Sequence, residues 1–143
     1  MKLFLDANIL VSVLNKEYPL FTITSRILSL SDKSKFSLYT SPVCLAIAFY
    51  FAEKKYKAVS AKNKIQLLCD HINIAPANKT VVLQSLNNSA VNDFEDGLEY
   101  YSAIESKCQC IITEDVSDFY FSKIEVLTSE NFFDKYLLNP LKK

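Results

Sequence analysis

Hydrophobic positions fall along the chain in two kinds of run. Lys2 to Leu5 carries Leu3-Phe4-Leu5 with no polar alternation and stops at Asp6, and Cys110-Ile111-Ile112 stops at Thr113-Glu114-Asp115. Runs without a polar face suit strands covered on both sides, as in a parallel sheet. Phe36 to Thr40, Ile72 to Ala75 and Val126-Leu127 read as further short strands. Between them the spacing is helical. Phe21 to Leu30 has apolar residues at 23, 27, 28 and 30, Pro42 opens a long apolar helix, and Ile65 to Leu68 belongs to another. A further helix runs from about Asn78 to Leu86. Asp93 begins one with Phe94, Leu98, Tyr101 and Ile104 on a single face, and Ser129 caps a last one with Glu130, Phe132 and Phe133 behind it. Strands alternating with helices predict an α/β fold, a three-layer α/β/α sandwich around a central, mainly parallel sheet, with residues 1–143 as one domain.

Composition narrows the chemistry. A single glycine, Gly97, leaves no phosphate-cradling loop of the P-loop or dinucleotide type, and a single histidine, His71, excludes any site of several imidazoles. Basic and acidic residues balance at 16 each, so no net field draws the chain to nucleic acid or membrane. The longest apolar run, Val43 to Ala52, is too short for a bilayer span, and Asp6 and Asn8 interrupt any signal-peptide core. The expectation is a cytoplasmic protein with no membrane association. Cys44, Cys69, Cys108 and Cys110 lie in apolar stretches, as reduced, mostly buried thiols do. Zinc held by Cys108, Cys110 and His71 would lack the second close ligand pair of a zinc site.

Carboxylates are what remains. Asp6 and Asp115 each follow an apolar strand, and ligands of open parallel sheets bind beyond the carboxyl ends of strands, where strand order reverses. Asp93 and Asp96 lie one helical turn apart, and Asp96 joins the other two if its helix starts at the same edge. Asp93-x-x-Asp96 equally fits an N-cap with an acid in the first turn, and Asp115 and Asp118 fit loop acids. Asp6, embedded between apolar runs, calls for a partner. Two like charges ~4 Å apart repel by roughly 4 kcal/mol at an effective dielectric of 20, so a cluster of such acids calls for a cation or raised pKa values. Oxygen donors without imidazole or thiolate point to Mg²⁺ or Mn²⁺ and to phosphodiester hydrolysis.

At these residues the sequence resembles the PIN domain ribonucleases, particularly toxins of VapC type. The matching segments are Leu3-Phe4-Leu5-Asp6-Ala7-Asn8-Ile9-Leu10, Asp93-Phe94-Glu95-Asp96-Gly97-Leu98 with Ala103, and Ile111-Ile112-Thr113-Glu114-Asp115-Val116-Ser117-Asp118-Phe119. Val126 to Phe132 is similar to the family's last strand and helix, so the resemblance spans the chain. It implies an acidic Mg²⁺ or Mn²⁺ site of Asp6, Asp96 and Asp115, with Asp93 and Asp118 as acids that some branches add and Asn8 and Thr113 as supporting polar groups. It also implies an RNA substrate, an antitoxin protein as partner, and a homodimer. One position departs from the pattern. The family commonly carries a glutamate on the helix after its second strand, and Ile47 occupies that place, with Glu53 off the same helical face.

Lys54, Lys55, Lys57, Lys62 and Lys64 form a local basic stretch able to follow a phosphate backbone, with Tyr50 or Tyr56 to stack on a base; a solvated helix end is the alternative. Arg26 is the only arginine, so bidentate phosphate contacts are scarce. The leading expectation is therefore a metal-dependent endoribonuclease, the toxin of a toxin-antitoxin pair. A PIN-like module that binds RNA or protein without cutting is the alternative that Ile47 raises. A haloacid-dehalogenase-like phosphatase would need a second acid where Asn8 stands.

Overall fold

The computed structural model describes residues 1–138. Its strands are β1 (Lys2–Leu5), β2 (Ser37–Thr40), β3 (Asn73–Ile74), β4 (Cys110–Ile112) and β5 (Glu125–Leu127). Its helices are α1 (Ala7–Leu14), α2 (Phe21–Leu28), α3 (Pro42–Cys69), α4 (Lys79–Asn87), α5 (Phe94–Glu105) and α6 (Ser129–Phe132), with short 3₁₀ turns at Ser29–Asp32 and Val116–Phe119. All strand pairs are parallel, in the order β3-β2-β1-β4-β5, and helices cover the sheet to give the expected α/β/α sandwich. The unbroken apolar runs hold the centre. Leu3, Phe4, Leu5, Ile111 and Ile112 are fully buried, because β1 and β4 are covered on both faces and flanked on both edges. No helix among the described residues is long and apolar enough to cross a membrane.

The order of strands creates the crevice. From β1 the chain winds outward through β2 to β3, then returns to add β4 and β5 on the other side, so strand order reverses between β1 and β4. Leu5 pairs with Ile112, which brings the residues after them, Asp6 and Thr113, side by side.

Several elements differ from the sequence pattern. Helix α1, not anticipated, starts directly after β1 because the Asp6 carboxylate accepts from the Ala7 N–H at 2.6 Å and caps it, and Ile9, Leu10 and Leu14 then turn into the core. β3 shrinks from the expected Ile72 to Ala75 to two exposed edge residues. The two helices expected after Pro42 run on as α3 but bend at Lys57, whose φ of 68° is left-handed. The last helix is capped by Thr128, whose hydroxyl accepts from Asn131 N–H, rather than by Ser129. Ser129 is instead the first helical residue, and its N–H and hydroxyl both donate to Glu114.

Helix α5 carries the most consequential correction. The stripe Phe94, Leu98, Tyr101, Ile104 is its half-exposed side; Gly97, Glu99, Tyr100, Ser102 and Ala103 are buried. A Cβ at Gly97 would lie 2.8 Å from Val91 Cγ1 and 3.1 Å from Ser85 Cβ, so only glycine lets α5 approach α4 this closely. Small residues, Gly97, Ser102 and Ala103, together with Glu99 and Tyr100, make up its buried positions.

Candidate functional site

A cavity of about 400 Å³ opens where β1 and β4 end. One wall carries Asp6, Glu95, Asp96, Glu99, Asp115 and Asp118, and another is made by Val11, Ile47 and Phe51 of α1 and α3. Asp6 is the centre of the acidic wall. Besides capping α1, it accepts from the Thr113 hydroxyl at 2.7 Å through its second oxygen, and it is nearly buried. The amide of Asn8 reaches Thr113 Oγ1 at 3.1 Å and Asp115 Oδ2 at 3.2 Å, while its carbonyl oxygen accepts from Glu114 N–H at 3.2 Å. Thr113 Oγ1 in turn accepts from Asp115 N–H at 3.0 Å. The two polar residues thus tie the segment after β4 to the start of α1 and hold Asp6 and Asp115 in place.

Asp96 reaches the cavity from the first turn of α5. Asp93 sits differently: it is the N-cap, exposed, with Oδ1 accepting from the N–H groups of Glu95 at 2.9 Å and Asp96 at 3.4 Å, and it does not line the cavity. Its charge is still felt. Burial first, then the charges of Asp93, Asp118, Asp6 and Glu95, push the Asp96 carboxyl up to about 7. Burial and the charges of Asp115, Asp6 and Asp93 also raise Asp118, and burial with Asp93 and Asp6 raises Glu95. No salt bridge among the described residues reaches this wall.

Glu17, Glu95 and Glu99 also line the cavity and are acids that the sequence pattern did not single out. Glu99 lies one turn after Asp96 and is 2% exposed, and burial together with the charge of Asp6 and a hydrogen bond to it pushes its carboxyl up to about 11. Glu99 thus sits in hydrogen-bond contact with Asp6 in a setting that disfavours its charged form. The i, i+3 spacing from Asp96 was a usable signal. The apolar stripe of Phe94, Leu98, Tyr101 and Ile104 on the other side of α5 masks it.

The basic stretch divides. Lys54 Nζ sits 4.1 Å from the Tyr50 ring centroid and 5.8 Å from that of Phe51, beside the cavity's apolar wall. Lys55 donates to the Asn15 carbonyl after α1 and lies 5.3 Å from the Tyr56 ring, and Lys57 stands at the α3 bend. Phe51 is the aromatic side chain that lines the cavity, whereas Tyr50 and Tyr56 sit beneath lysines. His71 is exposed and contacts Ser31, apart from buried Cys108 and Cys110, so no zinc-like grouping forms there.

Donor chemistry fits a hard divalent cation. The cavity offers carboxylate oxygens from several segments of chain, without imidazole, and burial first, then the neighbouring negative charges, raise the carboxyls of Asp96 and Glu99. Asp6, Asp96 and Asp115 stand on three different elements, so one ion placed among them would cross-link the crevice.

Comparison with known proteins agrees with this architecture. The PIN domain family model matches residues 2–117, and the chain belongs to that family. Ribonuclease VapC1 of Aquifex aeolicus (strain VF5) is 28% identical over 141 residues, covering 94% of this chain and 95% of that protein. Among solved structures, VapBC-1 of nontypeable Haemophilus influenzae superposes with a TM-score of 0.70 at 19% identity, covering 91% of this chain and 99% of that one. VapBC2 of Rickettsia felis, bound to a DNA fragment of its promoter, gives 0.67 at 17%, covering 89% and 97%. Mycobacterium tuberculosis VapC20, a toxin that cleaves the sarcin-ricin loop, gives 0.64 at 12%, covering 85% and 98%.

Proposed function

We propose that the protein is a metal-dependent endoribonuclease, the toxin of a toxin-antitoxin pair. The observation that carries the reading is the convergence of Asp6, Asp96 and Asp115 on one cavity at the strand-order reversal, in a chain of the PIN family. Ribonuclease VapC1 and the VapBC complexes support the activity and the pairing with an antitoxin. Asp6, Asp96 and Asp115 would hold Mg²⁺ or Mn²⁺, with Asp118 at the rim. A divalent cation supplies positive charge against the phosphodiester and lowers the pKa of water.

The chain's own groups do the rest. Thr113 and Asn8 fix the Asp6 and Asp115 oxygens, so the acidic wall is set before substrate arrives. Val11, Ile47 and Phe51 offer a base or sugar an apolar surface opposite the carboxylates, and Lys54 offers a phosphate contact at its edge. Asp93 serves as helix cap and as a field on Asp96. We assign the protein to the cytoplasm and to a homodimer, the second to be checked by light scattering against its 16.3 kDa mass.

Cleavage of a mixed RNA pool tests the reading. Products with Mg²⁺ or Mn²⁺, none in chelator and none with Asp96→Asn are expected, and no metal-dependent product at micromolar protein sinks the nuclease. The reading that would then take over is a non-cleaving RNA- or protein-binding module. Ile47 on the cavity wall, where α3 offers hydrocarbon instead of oxygen, is what favours it.

A further inference from the structure

A buried donor set lies beside the three aspartates and shares only Asp6 with them. Asp6, Glu99 and the Cys44 thiol each place one ligand atom within 4.8 Å of the others, and all three side chains are buried. Glu99 is the member without a structural assignment. A glutamate in the core of a helix costs stability unless it is paired with a cation, yet no basic group among the described residues forms a salt bridge with it, and its carboxyl faces the Asp6 carboxylate on the cavity wall. Serving only to hydrogen-bond Asp6 would need no ionisable group, since a neutral amide of the same length would donate as well.

The two remaining walls explain what an acid adds there. Helix α3 contributes Ile47 and Phe51 to the cavity and no carboxylate, so it offers a cation there no oxygen donor. Helix α5 enters from that crevice with Asp96 and, three residues on, Glu99 on the same side. Cys44 lies below, its Sγ 3.9 Å from Asp6 Oδ1, as a weak neutral donor.

We propose that Glu99 is a ligand of the divalent cation, the second from α5, and that it supplies the oxygen that α3 does not. This rests on the metal-dependent reading of the same cavity. Its carboxyl lies within 4.8 Å of an Asp6 oxygen and of Cys44 Sγ, so it is placed to share a cation with Asp6.

Mn²⁺ titration calorimetry on the wild type, Asp96→Asn, Glu99→Gln and Glu99→Met tests it, with melting curves to show that each variant is folded. Glutamine keeps the length and the hydrogen bond to Asp6; methionine keeps only the volume. Both should bind Mn²⁺ at least about tenfold more weakly than the wild type while melting cooperatively without metal at or above its temperature. A folded Glu99→Gln or Glu99→Met with wild-type affinity overturns the assignment. If Asp96→Asn weakens binding in the same experiment, the cavity is still a metal site and only the role of Glu99 falls. A wild type that binds no Mn²⁺ removes both.

Discussion

Carboxylates at the two ends of the sheet are treated in opposite ways. At the amino end, Glu125 opens β5 and accepts from the ammonium of Lys135 and from the Tyr136 hydroxyl, the latter at 2.6 Å. Burial pushes that carboxyl up, but these hydrogen bonds and the lysine charge more than reverse the effect, and it ends below the usual range. At the carboxyl end, Asp96, Glu99 and Asp118 meet burial and one another, and all are raised. One acid is used to fasten the chain; the others are held in mutual repulsion that the rest of the fold must offset. Sites that bind a charged ligand are built in this second way, since the ligand relieves what the apo protein tolerates.

The largest effects come from removing that repulsion. Asp6→Asn and Asp96→Asn should each reduce metal-dependent RNA cleavage by at least about a hundredfold while leaving the apo melting temperature unchanged or raised by about a few degrees. Both should also lose the Mn²⁺-induced thermal shift. If they melt lower and keep the shift, the acidic wall stabilises the fold and the contrast between the two ends is lost.

Sharpening the contrast from the other wall, Ile47→Glu puts a further carboxylate into the cavity. It should lower the apo melting temperature by about several degrees and enlarge the Mn²⁺ shift. An unchanged apo melt, read by circular dichroism in chelator, would show that the cavity's field does not reach α3.

The pH response follows from the direction of the shifts. Asp96 gives up its proton near 3.8 in the unfolded chain but only at about 7 in the fold, so the folded state binds more protons between those values and stability falls as pH rises through them. Glu99 adds in the same direction from 4.5 to about 11. Melting curves in chelator should therefore decline from about pH 4 toward neutrality and beyond, and Asp96→Asn should flatten the lower part of that slope. Glu125 acts with the opposite sign, since its lowered carboxyl contributes stability that is lost on acidification.

Smallest of all is the change expected at the amino end. Glu125→Gln breaks an ion pair exposed to solvent and should cost no more than about one or two degrees, with metal binding and cleavage unaltered. A loss of metal response there would mean that the two ends are coupled through β4 and β5.

Much of this was readable along the chain. The strands at Lys2–Leu5 and Cys110–Ile112 and the acids behind them are local features, set by runs of side chains that only a doubly covered strand accommodates. That Asp6 and Asp115 lie at one edge of the sheet follows from position relative to those runs, whereas Asp96 reaches the same cavity only because α5 starts there. Asp93 fits two roles in one dimension, and the structure shows it as the N-cap of α5. What depended on contacts across space was another matter. The buried side of α5 is chosen by Val91 and Ser85 pressing on Gly97, neighbours that are not near it in the helix, and that choice turned Glu99 inward to Asp6. Likewise the division of Lys54 from Lys55 and Lys57, and the placing of Phe51 rather than Tyr50 on the cavity wall, came from the bend at Lys57 and the packing of α3 on α1. Periodicity reports which residues can share a face; which face meets which neighbour is settled by shape and burial once all the elements are present.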